Sequence, residues 1–197
     1  MSLGDLTIMQ QFVDAALESW RQSGLMRLFD PAMPVEMRDE TRPVVDGETP
    51  WKPIPSTVTE RDLEELEEQI TLRYPALYKE FLRYQHFYEL WPEKEITFFP
   101  HGIYAWKDRL LDAYFNSWDP TNLIERGYIY FADYSDWGIV CFDTNHQRPG
   151  DNDCPIVLID HELLHDEPLP TNVLYPSFAD LMQVLRSAQE NPSPSND

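Results

Sequence analysis

Residues 127–159, GYIYFADYSDWGIVCFDTNHQRPGDNDCPIVLI, carry most of the pattern that indicates the fold, and we call them the deciding stretch. It contains three short runs of β-branched and aromatic residues, each bounded by glycine, proline, aspartate or asparagine: Tyr128–Phe131, Ile139–Phe142 and Ile156–Ile159. Such runs are typical of strands, and the connections between them are short enough for antiparallel hairpins. Both alternate faces of each run are largely apolar, so we expect packed elements on each side of an antiparallel meander.

Amphipathic helices precede this strand region. From Leu6 onward, apolar residues recur at helical spacing, which predicts a helix of about six turns that ends near Leu28. A second helix is predicted to begin after Thr57 or Thr59, because either threonine could serve as its N-cap.

The segment between the second helix and the deciding stretch changes its period twice. Pro75 restarts a helical stripe that continues to about Phe87. Residues 96–99 and 103–106 then predict two short strands, and the apolar spacing of residues 110–114 predicts a short helix.

The last predicted element is a helix from Ser177 to Arg186, capped by Ser177. Helices, then strands, then a helix predict an α+β fold: an antiparallel meander sheet flanked by helices, with an N-terminal helical extension. We expect residues 1–50 to hold the first helix and a proline-rich connector, 51–190 to form the main domain, and 191–197 to be a disordered tail. The apolar stripe of the first helix must be buried, either on this chain or on another molecule.

The charge balance narrows the possible partners. The chain has 197 residues, with 15 Lys and Arg against 35 Asp and Glu, a formal net charge of −20. So acidic a protein repels DNA, RNA and anionic lipid at long range, so neither nucleic acid nor a membrane is an expected partner. A basic protein is favoured, because opposite charge speeds encounter.

The expected cellular compartment is indicated by two kinds of segment that the sequence lacks. No run approaches the roughly 18 apolar residues of a membrane span, and the N-terminus has no basic region followed by an apolar one. The two cysteines, Cys141 and Cys154, are therefore expected to be free and reduced. These observations predict a cytoplasmic protein.

Residues 161–165, HELLH, match a zinc metalloprotease motif. That motif needs an α-helix, because residues i and i+4 then place two imidazoles on one face beside the glutamate base. Here it directly follows a predicted strand, and two prolines soon close the segment, so only about a turn and a half of helix fits. A zinc hydrolase using His161, Glu162 and His165 is therefore the third functional hypothesis, behind the two given below.

Other catalytic patterns are absent from the sequence. The seven glycines are scattered, with no phosphate-binding loop and no Gly-x-Ser-x-Gly elbow. His86 and His101 are expected to be structural or solvated, and neither cysteine has a histidine placed as an evident base. The sequence predicts no cofactor, no metal and no catalytic residue.

Five segments in a fixed order carry a resemblance to a known family. They are residues 51–67, 75–82, 127–144, 154–162 and 177–181. Each segment is degenerate alone, but together they resemble the SUKH superfamily, the SMI/KNR-like domain family, over about residues 51–185. The resemblance implies binding without catalysis. Many bacterial members of the family are immunity proteins that neutralise polymorphic toxins, and some eukaryotic relatives are scaffolding regulators of cell-wall synthesis.

The resemblance and the charge together give the first two hypotheses. The first is an immunity protein that occludes a basic toxin domain, for example a nuclease. The second is a regulatory scaffold that docks or self-associates through its N-terminal helix. For either, the predicted partner-binding residues form an acidic rim on the turns of the meander: Asp133, Asp136, Asp143, Asp160 and Glu162.

Two local features qualify the resemblance. Trp137-Gly138 is predicted to form a tight turn in which the indole covers the sheet edge, and Asp133 and Asp136 suit that turn as caps for backbone amides. The family usually has a glycine shortly before the position of Pro75, where this chain reads Gln-Ile-Thr at residues 69–71, and another after Leu82 that is also missing.

Overall fold

The structure is a computed structural model that describes residues 1–90, 95–118 and 123–191. Within those residues the chain forms five α-helices and nine β-strands. The helices are α1 (Leu3–Ser23), α2 (Glu60–Ile70), α3 (Ala76–Leu82), α4 (Trp106–Phe115) and α5 (Phe178–Glu190). The strands are β1 (Arg27–Leu28), β2 (Thr49–Pro50), β3 (Ile54–Pro55), β4 (Gln85–His86), β5 (Ile96–Phe98), β6 (Tyr128–Tyr134), β7 (Gly138–Asp143), β8 (Ile156–Asp160) and β9 (Asn172–Tyr175). Of the predicted disordered tail, residues 192–197 lie outside the described residues.

An antiparallel sheet in the order β5-β6-β7-β8-β9 forms the centre of the fold. Its three inner strands are the three runs of the deciding stretch, and every residue of β7 is buried. Ile129 lies opposite Phe142, and Cys141 lies opposite Val157. The predicted α+β class, the meander and the flanking helices are confirmed.

Helices cover both faces of the sheet, as its two apolar faces predict. On one face, Tyr78 of α3 and Phe178 of α5 pack against the rings of Phe131 and Phe142, which stack 4.1 Å apart. On the other face α4 runs along β6, and Tyr130 points toward it. Each buried aromatic side chain contributes about 1.5–3 kcal/mol relative to its exposed state, so these two layers hold the sheet between them.

The N-terminal helix buries its apolar stripe on this chain. Met9, Phe12 and Leu17 of α1 belong to the same hydrophobic core as the sheet. The helix packs against α5 and α3, and the Gln189 side chain of α5 donates a hydrogen bond to the Phe12 carbonyl at 3.2 Å. Of the two places that the sequence left open for this stripe, the structure shows the first.

The chain after α1 contains more structure than an extended connector. The helix ends at Ser23 rather than near Leu28, because Gly24 adopts the left-handed conformation (φ 78°) that terminates helices. Leu28 instead lies in β1, which pairs with β2. Four apolar side chains of this segment are buried in the fold: Met26, Met33, Met37 and Trp51.

The first turn of α2 shows which of the two candidate threonines is the N-cap of the helix. Thr59 is the N-cap, and its hydroxyl accepts a hydrogen bond from the Asp62 amide at 3.2 Å. Thr57 instead contacts a buried imidazole, since its amide donates to Nε2 of His86 at 2.9 Å. At the other end of α2, Thr71 adopts a left-handed conformation (φ 58°) in the region where the resemblance predicts glycine.

Helix α3 ends at Leu82 rather than near Phe87, and the chain then forms β4, which pairs with β3. His86 of β4 and His101 are buried with their Nδ1 atoms 3.0 Å apart. Burial lowers the pKa of both imidazoles, that of His101 to about 3. Both histidines are therefore neutral members of the core at physiological pH.

Two further elements differ from the sequence predictions. Residues 103–106 do not form a strand; the Gly102 carbonyl accepts hydrogen bonds from the amides of Ala105 and Trp106, so the chain turns into α4. A four-residue apolar run fits a strand and a helix start equally well, which explains the error. Strand β9 was not predicted, because it lies at the sheet edge with Val173 exposed and shows no hydrophobic alternation.

Both cysteines are free, as predicted, and the structure shows that both are buried. Burial raises the pKa of the Cys141 thiol well above its usual range and that of Cys154 to about 12. Because the thiolate is the reactive form, neither side chain is poised as a nucleophile.

Candidate partner-binding site

A pocket of about 350 Å³ opens between α4, β6 and the residues that follow α4. It is lined by Phe99, Arg109, Ala113, Ser117, Trp118, Tyr130 and Asp133. It forms where α4 packs against β6, with Arg109 and Ala113 contributed by the helix and Tyr130 and Asp133 by the strand. Its volume is at the lower end of ligand sites, which are about 300–1,000 Å³. We call it the α4–β6 pocket.

The polar end of the α4–β6 pocket is a half-buried carboxylate. Asp133 accepts a hydrogen bond from the Tyr130 hydroxyl, which in turn is hydrogen-bonded by the indole of Trp118. Burial raises the pKa of Asp133, while the hydrogen bond from Tyr130 and the positive charge of Arg109 act in the opposite direction. Of the described residues that line the pocket, Asp133 is the one acidic side chain, and it lies among aromatic rings.

The pocket is also lined by a cation that lies over an aromatic ring. The guanidinium of Arg109 lies 5.6 Å from the centroid of the Phe99 ring, which meets Tyr130 edge-on at 4.6 Å. Arg109 is half exposed, and a carboxylate oxygen of Asp112 on the same helix lies 3.8 Å from its guanidinium. This geometry is that of a cation–π contact.

Two tryptophans lie beside the mouth of the pocket and are joined by a histidine. The rings of Trp118 and His161 stack 5.0 Å apart with an interplanar angle of 12°. Nδ1 of His161 donates a hydrogen bond to the Trp137 carbonyl at 2.6 Å, and Trp137 packs edge-on against Tyr134. Both indoles remain partly in solvent, with exposed fractions of 38% for Trp118 and 40% for Trp137.

Four of the five predicted rim residues lie at this same end of the sheet. Gly138 is paired with Asp160 in the β7–β8 ladder, which brings the turn containing Asp136 next to the start of the loop containing Glu162. Asp133 lines the adjoining pocket. We call this surface the tryptophan end, defined as Trp118, Asp133, Asp136, Trp137, Asp160, His161 and Glu162.

The fifth predicted rim residue, Asp143, is not brought together with the others. It lies at the opposite end of β7, which spans six residues and thus about 17 Å. Its carboxylate is buried and accepts hydrogen bonds from the amide and side chain of Asn145, at 3.2 and 3.1 Å, with His146 at 2.7 Å. Asp143 therefore fixes a turn and is not available at the surface.

The HELLH segment does not have the geometry of a zinc motif. His161–Leu163 form a single turn of 3₁₀-helix, so His161 and His165 are not set one α-helical turn apart. The ring of His161 is used in the contacts with Trp118 and Trp137. Within the described ranges of the chain, no group of three or more His, Cys, Asp or Glu side chains is arranged to hold a metal ion.

Trp118 and Arg109 were missed by sequence reasoning. Arg109 lies on α4 among other charged residues, and its contact with the ring of Phe99, the residue after β5, depends on tertiary packing. Trp118 follows that helix in a left-handed backbone conformation (φ 60°), which no local pattern announces. An isolated tryptophan outside any periodic stripe is the one signal that could have drawn attention to it.

The meander sheet and its covering helices define an α+β domain, and comparison with known families identifies its class. A family model for the SMI1 / KNR4 family (SUKH-1) matches residues 57–184, about two thirds of the chain. The chain therefore belongs to this family, and the resemblance seen in the sequence is confirmed. The matched residues include the α4–β6 pocket and the whole tryptophan end.

A search for similar curated proteins and a search of the described residues for membrane-spanning helices gave negative results. No curated protein matches the chain significantly. In the described part of the structure, none of the helices is both long enough and apolar enough to cross a membrane.

Proposed function

We propose that this protein is a non-catalytic, protein-binding module of the immunity type, which neutralises a basic toxin domain by covering its working surface. Membership of the SMI1 / KNR4 family (SUKH-1), whose domains interact with proteins, supports the binding function. The toxin, and a site of action in the cytoplasm of the producing cell, are part of the proposal.

The observation that carries the proposal is the composition of the tryptophan end. Trp118 and Trp137 are each about 40% exposed, although indoles are usually largely buried. Tryptophan is the residue type most enriched among the anchors of protein interfaces. Because Asp136 and Glu162 are exposed beside these indoles, the surface combines apolar anchors with negative charge.

The charge of the whole chain supports a basic partner. A formal charge of −20 attracts a cationic domain before contact and raises the association rate, and salt weakens that attraction. A nuclease, whose groove must be basic to hold a polyanion, is the kind of toxin that this surface suits best.

The candidate catalytic side chains are held in contacts within the protein, and this supports binding without turnover. His161 is held by two tryptophans, and His86 and His101 are buried together in the core. Cys141 and Cys154 are buried with raised pKa values. A nucleophile or base must meet its substrate, and these groups face other parts of the same protein.

Affinity capture with the tagged protein tests the proposal. From a native lysate at low salt, we expect one stoichiometric basic partner, lost as the salt concentration rises. Trp137→Ala should reduce capture, whereas Glu64→Gln on the exposed face of α2 should not. Capture of an acidic partner, or capture unaffected by both salt and Trp137→Ala, would contradict the proposal.

The alternative is a regulatory scaffold, and one observation directs where it would dock. The stripe of α1 is buried on this chain, so a scaffold would have to use the apolar side chains exposed after that helix. Phe29 and Val44 are exposed at 77% and 59%. Loss of capture in Phe29→Ser with Val44→Ser, but not in Trp137→Ala, would favour this alternative over the immunity role.

A further inference from the structure

The α4–β6 pocket has a chemistry that differs from the rest of this acidic surface. Three of the described lining residues are aromatic, Phe99, Trp118 and Tyr130, and the acidic lining residue is Asp133. An aromatic face and a carboxylate both attract a cation, the first through its quadrupole and the second through its charge. The pocket therefore suits a flat, positively charged group.

The protein already places such a group at one wall of the pocket. The guanidinium of Arg109 lies over Phe99 at 5.6 Å, and its positive charge partly offsets the effect of burial, which raises the pKa of Asp133. Yet Arg109 is half exposed and lies within salt-bridge distance only of Asp112, at 3.8 Å, among the described residues. The pocket between Arg109 and Trp118 remains open, with a volume of about 350 Å³.

We propose that the α4–β6 pocket receives an arginine side chain of the basic partner, with Asp133 as its charge partner and Trp118 as the ring on which it stacks. The inference rests on the proposed function, because it names the partner group that the tryptophan end recognises. Arginine suits the site better than lysine, since a planar guanidinium stacks on rings and can bond a carboxylate through two N–H groups.

An anion is the other ligand that a pocket containing Arg109 could take. Two features disfavour it: the Asp133 carboxylate also lines the pocket, and the chain carries −20 overall. Inorganic phosphate therefore serves as a competing probe in the test.

The test uses a small probe and needs no knowledge of the partner. The ligand is N-acetyl-arginine N-methylamide, and its matched control is the citrulline analogue, which has nearly the same shape without the charge. Titration of the ¹⁵N-labelled full chain follows the indole N–H signal of Trp118, assigned by its disappearance in Trp118→Phe. We expect a saturable shift with the arginine probe and about tenfold weaker binding of the citrulline probe.

Three variants sharpen the result. Asp133→Asn, which retains an acceptor for Tyr130, should weaken binding of the arginine probe by about tenfold or more, as expected for loss of a partly buried charge partner. Arg109→Gln removes a competing cation and should leave the affinity unchanged or higher. Glu64→Gln is the control, because it removes one carboxylate on α2, outside the tryptophan end.

The outcomes separate this inference from the proposed function. Equal shifts with the arginine and citrulline probes, no shift with either, or a shift with phosphate that Arg109→Gln abolishes would overturn the arginine pocket. None of these results depends on whether a toxin is captured from lysate. Conversely, arginine binding that requires Asp133 would support the pocket even if affinity capture found no basic partner and the immunity role failed.

Discussion

An aspartate lies at or near each end of strand β7, but the two carboxylates have different environments. At one end, Asp143 is buried and bonded to Asn145 and His146. At the other end, Asp136 is exposed beside Trp137, which is itself 40% exposed. Both aspartates belong to turns of the same meander, and the sequence analysis predicted both as partner-binding residues.

The difference shows what separates a structural carboxylate from a candidate contact residue. A buried carboxylate must be hydrogen-bonded, and the bonds that satisfy it also hold the turn in place. An exposed carboxylate gives up little by staying in water and is free to meet a partner. Burial and bonding, rather than charge or position in a turn, therefore assign the two roles.

The largest effect should come from removing the indoles at the tryptophan end. Trp118→Ala with Trp137→Ala should weaken binding to the captured partner by about 100-fold or more, since interface anchors commonly contribute 2 kcal/mol or more each. Isothermal titration calorimetry measures this loss. His146→Ala, at the Asp143 end of β7, is the control and should bind as the natural sequence does. Equal losses in the two variants would erase the distinction between the ends.

The next largest effect should appear in stability at the other end of β7. Asp143→Ala leaves the Asn145 amide without its acceptor and should lower the free energy of unfolding by about 2 kcal/mol. Urea denaturation measures the change, with Asp136→Ala as the exposed control, expected to stay within about 0.5 kcal/mol. If Asp136→Ala were the more destabilising of the two, the assignment of roles would be reversed.

A third effect concerns the histidine pair beneath α4. Because burial depresses the pKa of His101 to about 3, the unfolded chain binds a proton there more readily than the folded chain does. The contribution of His101 is complete above pH 6.5, the ordinary histidine pKa, and is lost progressively as the pH falls from there toward 3.

Denaturation curves of the natural sequence and His101→Leu, measured between pH 7 and pH 4, test this contribution. We expect the difference in stability between the two proteins to shrink or change sign as the pH falls. Parallel pH profiles would show that His101 is protonated as readily in the folded protein as in the unfolded chain.

The smallest effect concerns the departure from the family pattern at Thr71. A β-branched residue in the left-handed conformation is strained, so Thr71→Gly should raise stability by up to about 1 kcal/mol despite the extra flexibility of glycine. Thr59→Ala, which removes the N-cap of the same helix, should lower stability by about 1 kcal/mol. Thermal unfolding of both variants measures the contrast. A loss of stability in Thr71→Gly would show that no strain is released there.

The sequence predicted the sheet well because its strands are buried on both faces. Runs such as Ile139–Phe142 can only be central strands or buried helix, and the flanking glycine and aspartates decide between them. Residues 103–106 and β9 failed for the opposite reason: a short or exposed run carries too little hydrophobic pattern. The end of α1 was also predicted wrongly, because the left-handed Gly24 ends the helix although the apolar spacing continues beyond it.

The candidate site was predicted only in part. The acidic residues were found because charge is visible in the sequence, but the separation of Asp143 from Asp136 depends on which end of a strand each turn occupies. The α4–β6 pocket could not be predicted, since it depends on how α4 crosses β6 and on the unusual backbone of Trp118. Tertiary packing, rather than local pattern, assembles that part of the surface.

The most direct test of the central claim compares two charge-neutralised proteins. One carries Asp136→Asn, Asp160→Asn and Glu162→Gln at the tryptophan end, and the other carries Glu40→Gln, Glu64→Gln and Glu68→Gln elsewhere on the surface, with the same net charge. We would measure the affinity of both for the captured partner over a range of salt concentrations. We expect a weaker affinity and a shallower salt dependence only for the protein that is changed at the tryptophan end. Equal behaviour of the two proteins would contradict the claim, because binding would then depend on total charge and not on this surface.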